Sequence, residues 1–223
     1  MNKKTIRTVL ATAMAVSMTV TAFATSGYDL TKVDKVTGTA VTEIASNAVE
    51  EAVKENKPVA EVKVQNANEF TVEAFEKVAE KAAEKKVEAK VVADTVDEEG
   101  VVLVRIKIDP VKAVENKVNV QLKGGLDNEK TRKVFNKFFK NEMAIVSFDQ
   151  AYSFGQEVEI AAKVDMKKID TTKQLYFYSY NPATNSFIRI VAPKYRIDEN
   201  GYVHFSTTRA DSIIITDMPL TRK

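Results

Sequence analysis

Seven short runs rich in apolar and β-branched residues crowd the last third of the chain. They lie at about 143–148, 157–164, 174–180, 186–191, 195–198, 202–206 and 212–216. Turn signals separate them, among them Asn181-Pro182-Ala183-Thr184-Asn185 and Asp198-Glu199-Asn200-Gly201. A chain interrupted this often has no room for long helices, and the pattern predicts antiparallel strands in a sandwich or barrel. Irregular spacing of the runs favours the sandwich. Upstream, Val118, Val120 and Leu122 alternate with polar residues as far as a break at Gly124-Gly125. One short helix follows, at about 128–140, with Asp127 as its cap and Val134, Phe135, Phe138 and Phe139 buried.

Before residue 110 the period is different. Val41, Ile44, Ala45, Ala48, Ala52 and Val53 recur at helical spacing from Ala40 onward, and Asn56-Lys57-Pro58 stops that helix. Residues 59–64 alternate as a strand, with Ala60, Val62 and Val64 on one side. Thr71 then caps a second helix whose stripe is Phe75, Val78, Ala79 and Ala82. Its charged residues, such as Lys77–Glu80 and Lys81–Glu84, read as a solvated face. Runs at 87–96 and 101–108 form a hairpin around Asp97-Glu98-Glu99-Gly100. Val102, Val104, Ile106 and Ile108 face in, Arg105 and Lys107 face out, and Asp109-Pro110 ends it.

The expected fold class is therefore α+β. A small N-terminal α/β unit (helix-strand-helix-hairpin) occupies 39–110, and an antiparallel β-sandwich with one short helix occupies 111–218. Residues 25–38 read as an arm or edge strand, and 219–223 as a tail.

The first 24 residues carry an address. Lys3, Lys4 and Arg7 precede a small-residue apolar run at 9–21, and Ala22-Phe23-Ala24 has the form of a signal-peptidase site. Residues 8–28 are uncharged, which is long enough to span a bilayer, but seven of the 21 are Thr or Ser and the apolar core has the length of a signal h-region. Cleavage after Ala24 is expected, with secretion and no transmembrane anchor afterwards. Removing three basic residues from 33 leaves 30 against 31 acidic ones. That near-neutral, interspersed charge argues against nucleic acid as a partner.

Candidate chemistry is sparse. The 223 residues include no Cys, which excludes disulfides, thiolate metal ligands and a cysteine nucleophile, and one His, which excludes a site built on two imidazoles. No catalytic residue, metal ligand or cofactor is assigned, and the chain reads as non-enzymatic. His204, in Tyr202-Val203-His204-Phe205-Ser206, is expected at the surface, with Val203 and Phe205 in the core. Asp198-Glu199-Asn200-Gly201 reads as a hairpin turn, because the remaining ligands of a calcium loop are missing. Thr25, a potential N-terminal nucleophile once exposed, falls in the loose arm. The one tentative ligand face is Tyr176, Tyr178 and Tyr180, which alternate along one strand. They either stack on a sugar or protein partner, or serve a strand covered on both faces.

Several of these segments together resemble a known module. They are Leu175-Tyr176-Phe177-Tyr178-Ser179-Tyr180-Asn181-Pro182, Thr184-Asn185, Asp198-Glu199-Asn200-Gly201-Tyr202-Val203-His204-Phe205 and Ser212-Ile213-Ile214-Ile215, with Phe154-Gly155-Gln156-Glu157-Val158-Glu159-Ile160 before them. Together they resemble the C-terminal non-catalytic β-sandwich modules of secreted and cell-surface proteins of Gram-positive anaerobic bacteria. The resemblance implies a role in adhesion, scaffolding or polysaccharide-degrading systems. Where many such modules carry a His-Phe-Ser strand, this chain has Thr208-Arg209-Ala210-Asp211-Ser212. The leading expectation is an exported binding or structural module, secreted or held non-covalently at the cell surface, with an extracellular protein or polysaccharide as candidate partner. The alternatives are a carbohydrate-binding accessory protein using the tyrosine face and, more remotely, a secreted hydrolase or peptidase inhibitor.

Overall fold

The computed structural model describes residues 35–149, 153–191 and 194–223. The leader at 1–24, the mature terminus at Thr25 and residues 25–34 of the expected arm lie outside the described residues. In chain order the elements begin with β1 (Lys35–Val36), α1 (Gly38–Lys54), β2 (Val59–Gln65), β3 (Glu69–Phe70) and α2 (Val72–Lys85). Next come β4 (Glu88–Val96), β5 (Val102–Ile108), α3 (Pro110–Asn116), β6 (Val120–Gln121), β7 (Gly124–Leu126) and α4 (Glu129–Phe138). The rest is strand: β8 (Ala144–Phe148), β9 (Ser153–Lys163), β10 (Tyr176–Asn181), β11 (Ser186–Ile190), β12 (Tyr195–Ile197), β13 (Tyr202–Arg209) and β14 (Ser212–Thr216).

Local chemistry accounts for most of these boundaries. The Thr71 hydroxyl accepts from the Ala74 amide at 3.2 Å and starts α2, while Lys86 closes it in the left-handed conformation. Asp109-Pro110 does more than end β5: the Asp109 carboxylate accepts from the amides of Val111 and Lys112, and Pro110 stands at the first helical position. The pair therefore opens α3, a helix that periodicity did not reveal. α4 is capped by Asn128, which accepts from the Thr131 amide, and not by Asp127. Asp127 instead takes φ +69° and holds Arg132 at 2.6 Å.

Among the described residues two large sheets and one small one, with the helices, make the fold α+β. The order of the six-stranded sheet is β12-β13-β9-β5-β4-β2, antiparallel except for the β2–β4 pair that α2 connects. The five-stranded sheet is β11-β10-β14-β8-β7, antiparallel throughout. A small sheet, β1-β3-β6, ties the start of the described chain to residues 120–121. One face of the six-stranded sheet supplies Val62, Val91, Ile106, Ile160 and Phe205 to the main core. Val41 and Phe75 from α1 and α2 join that core, as do Phe177, Val146, Ile213 and Ile215 from the five-stranded sheet. The arrangement is sandwich-like, with helices completing the layer where the second sheet stops. β5 pairs with β9, so this sheet and its core run across residues 110–111 and join the two expected halves.

Some expectations need correction. The α1 stripe is Val41, Ala45, Val49 and Ala52, and Val53 is exposed because it has rotated past the buried face in the last turn. Gly124-Gly125 does not break a strand. It forms most of β7, and a Cβ on Gly124 would lie 2.9 Å from the Phe148 ring, so glycine is what lets that ring pack. Phe138 is exposed, while Phe135 is fully buried. Arg105 does project from the polar side of its sheet, yet it is buried. Among the described residues no helix is long and apolar enough to cross a membrane.

Candidate functional site

The tyrosine row is mostly covered. Tyr178 and Tyr180 are each 6% exposed and belong to a second core with Phe135, Met143, Ile145 and Ile214. This core lies on the side of the five-stranded sheet that faces α4. The Tyr180 ring stacks on Phe187 at 4.8 Å, and its hydroxyl donates to Asn185 Oδ1 at 2.8 Å. The Tyr178 hydroxyl accepts from the Leu220 amide at 3.3 Å. The expected tail is thus a strap over the sheet. Asn141 holds it, donating to the Pro219 carbonyl at 2.9 Å and accepting from the Thr221 amide at 2.8 Å. Tyr176 is half-buried, with the Arg189 guanidinium 5.2 Å from its ring centroid. The three rings do not form an open platform, and a sugar could stack on Tyr178 or Tyr180 only by displacing α4 and the strap.

His204 is the main surprise. Alternation places it opposite Val203 and Phe205, on the polar side of the six-stranded sheet, but it is 6% exposed and not at the surface. The β12–β13 hairpin explains this. Asp198 begins the turn, and its Oδ1 accepts from the amides of Asn200 and Tyr202, both at 3.0 Å. Gly201 completes the turn at φ +81°, a conformation glycine adopts without strain. The second carboxylate oxygen, Oδ2, reaches His204 Nε2 at 2.8 Å. On the other side of the ring, Nδ1 lies 3.4 Å from a guanidinium nitrogen of Arg196, its cross-strand neighbour. A guanidinium can only donate, so Nδ1 accepts and the ring proton sits on Nε2, donating to Asp198. This chain of contacts fixes the neutral tautomer.

Electrostatics agree with that assignment. Burial pushes the His204 imidazole below its ordinary value of 6.5, with Arg196 and Arg105 adding to the effect and Asp198 opposing it. Burial alone would raise the Asp198 carboxyl, but hydrogen bonds from His204 and the turn amides outweigh it and hold the group below its ordinary 3.8. Both shifts give stability that disappears on acidification. The unfolded chain takes up a proton near pH 6.5 while folded His204 does not, so stability falls as pH drops from there toward the folded value. Asp198 adds a second loss in the carboxylate range. His204→Ala is expected to remove the upper step and to cost about 1–3 kcal/mol, because it leaves a buried carboxylate oxygen without its donor. Thermal melts of both proteins between pH 7 and pH 4 check this.

A cavity of about 310 Å³ opens beside this network, between β12, β13 and β9. Lys194, Arg196, His204, Ser206 and Glu159 line it together with Ile160 and Phe205. Elsewhere on the same sheet the polar groups pair with one another. Arg105 binds Asp94 through Nε and a terminal nitrogen, each at 2.6 Å, and Lys107 meets Glu61 at 2.6 Å. Among the described residues no group of three or more His, Asp or Glu is placed to hold a metal ion. No signal in the periodicity marked the cavity, because strand alternation says which way Arg196 and His204 point and nothing about the space between them. Compared with models of known protein families and with curated proteins, the chain matches none.

Proposed function

We propose that the chain is an exported, non-enzymatic module that binds or organises material outside the cell or at its surface. The observation that carries this reading is the commitment of its one imidazole to architecture: His204 is held between Asp198 and Arg196 within a hairpin. A general base would need that ring free to exchange a proton with a substrate. The basic n-region, short apolar run and Ala22-x-Ala24 of the leader support export. The near-neutral charge of residues 25–223 supports an extracellular protein or polysaccharide partner over nucleic acid.

The test has two parts. Mass spectrometry of culture supernatant is expected to find a mature chain starting at Thr25, and intact chain embedded in membrane would overturn export. A pull-down from the native cell envelope, run beside a glycan array, is expected to recover a specific envelope component. Turnover of a hydrolase substrate by the purified chain would overturn the non-enzymatic reading.

A further inference from the structure

Among the described residues each sheet ends in two strands that pair on one side only: β1 and β6, β11 and β7, β12 and β2. β2 is the longest of these at seven residues, Val59–Gln65, whereas β11 has five and the others two or three. Its ladder partner is β4, and its outer side meets no strand. An edge of that length is a template for another strand unless its side chains guard it.

Lysine is a common guard, and Lys63 is exposed on this edge. Glu61, however, stands two positions earlier on the same face. Of the six end strands only β2 carries both signs of charge: β1, β11 and β12 each hold one cation, while β6 and β7 hold no charge. The Glu61 carboxylate is already positioned, since Lys107 grips it at 2.6 Å from within the sheet, and 37% of the side chain remains exposed. Ala60, Val62 and Val64 turn to the core, so Glu61 and Lys63 lie on the opposite face between Val59 and Gln65.

We propose that β2 is a dimerisation edge whose occupant is a second copy of this chain, paired antiparallel about a two-fold axis at Val62. Glu61 of each strand then faces Lys63 of the other, Ala60 faces Val64, and Val59 faces Gln65. Charge and face together select this register. An axis at Glu61 or at Lys63 sets like charges directly opposite each other, which is destabilising. A one-residue slip lays the polar face of one strand beside the apolar face of the other. The interface is isologous, each copy giving and receiving the same strand, and the two six-stranded sheets become continuous. The inference concerns self-association and stands apart from the export and binding proposed above.

Sedimentation velocity of residues 25–223 over a range of concentrations reads the equilibrium. A reversible dimer is expected with a dissociation constant between roughly 1 μM and 1 mM, because one strand edge buries less than a standard interface. Lys63→Glu makes the edge wholly acidic. The two-fold then sets two like-charge pairs where two opposite pairs stood, and dimerisation should weaken at least about tenfold. Glu61→Lys makes the edge wholly basic and should do the same. An equimolar mixture of these two variants restores two opposite pairs and is expected to form a heterodimer at concentrations where neither variant associates alone. Should Glu61→Lys lower the melting temperature by losing Lys107, the comparison of Lys63→Glu with Lys63→Gln decides, the acidic variant being the weaker dimer. A dimer indifferent to the charge at position 63, or a mixture of two folded variants that fails to associate, would overturn the proposal. A chain that stays monomeric at every concentration would also overturn it and leave the edge to a strand of another protein.

Discussion

Replacing Tyr178 by alanine is expected to lower the unfolding free energy by about 3–5 kcal/mol, the range for truncating a large buried aromatic side chain. Tyr178 stands opposite Ile214 across the β10–β14 pair and packs with Phe135 and Tyr180 beneath α4. Removing the ring opens a cavity in a core that is already small and takes away the hydroxyl acceptor of the Leu220 amide. α4 and the C-terminal strap would both lose their seat. Because each kcal/mol moves Tm by about 2–4 °C in a chain of this size, the effect is read easily in a melt. Tyr176→Ala, at the half-buried end of the row, is expected to cost far less. Equal losses at the two positions, or a silent Tyr178→Ala, would contradict the covered face.

Asp94→Ala is expected to destabilise the protein by about 3–5 kcal/mol, because it leaves a buried guanidinium without its counter-charge. The Arg105 side chain is 5% exposed and that of Asp94 13%, and the fork-to-fork contact uses both carboxylate oxygens. Removing both charges together is a different experiment. Asp94→Leu with Arg105→Met keeps the volume, avoids an orphaned charge and is expected to recover most of the lost stability. Urea unfolding of Asp94→Leu, Arg105→Met and the double variant closes a mutant cycle. A double variant as unstable as the sum of the singles would mean that the pair contributes nothing through mutual contact.

These two sites show what periodicity conveys and where it stops. The hairpin at 97–100 was legible from its turn and flanking β-branched runs, and its register sets Asp94 directly opposite Arg105. The ion pair was therefore readable in principle: outward-facing residues of opposite charge at paired positions. Burial of the pair was not, since it depends on neighbouring strands whose partners lie far along the chain. The strands from 143 to 216 were legible for the same local reasons, as were the roles of Val203 and Phe205. Alternation gives His204 its correct side but not its burial, because the side chains of Asp198 and Arg196 close over it only once the hairpin has folded. The tyrosine row could be read only as two possibilities. Its cover comes from Phe135, more than forty residues earlier, and from Leu220 at the far end of the chain. Phe138 went astray for a simpler reason: one turn of a short helix can bury only part of a Phe-rich segment.

The placement of β9 at the middle of the six-stranded sheet has a kinetic consequence. β4 and β5 can meet as soon as their hairpin turns, but β5 keeps an open edge until residues 153–163 arrive beside it. β13 has to reach the other side of β9, and the Tyr202 hydroxyl then closes onto the Val102 carbonyl across 100 residues of chain. Folds dominated by such distant pairings assemble slowly, on the order of milliseconds to seconds. A nascent chain that has exposed only its first half presents β5 as a free strand edge, Val102 to Ile108, able to pair with another copy. Crowded synthesis is then the moment of greatest aggregation risk for this protein, and an agent that holds the chain extended until β13 is available would raise the yield of folded molecules.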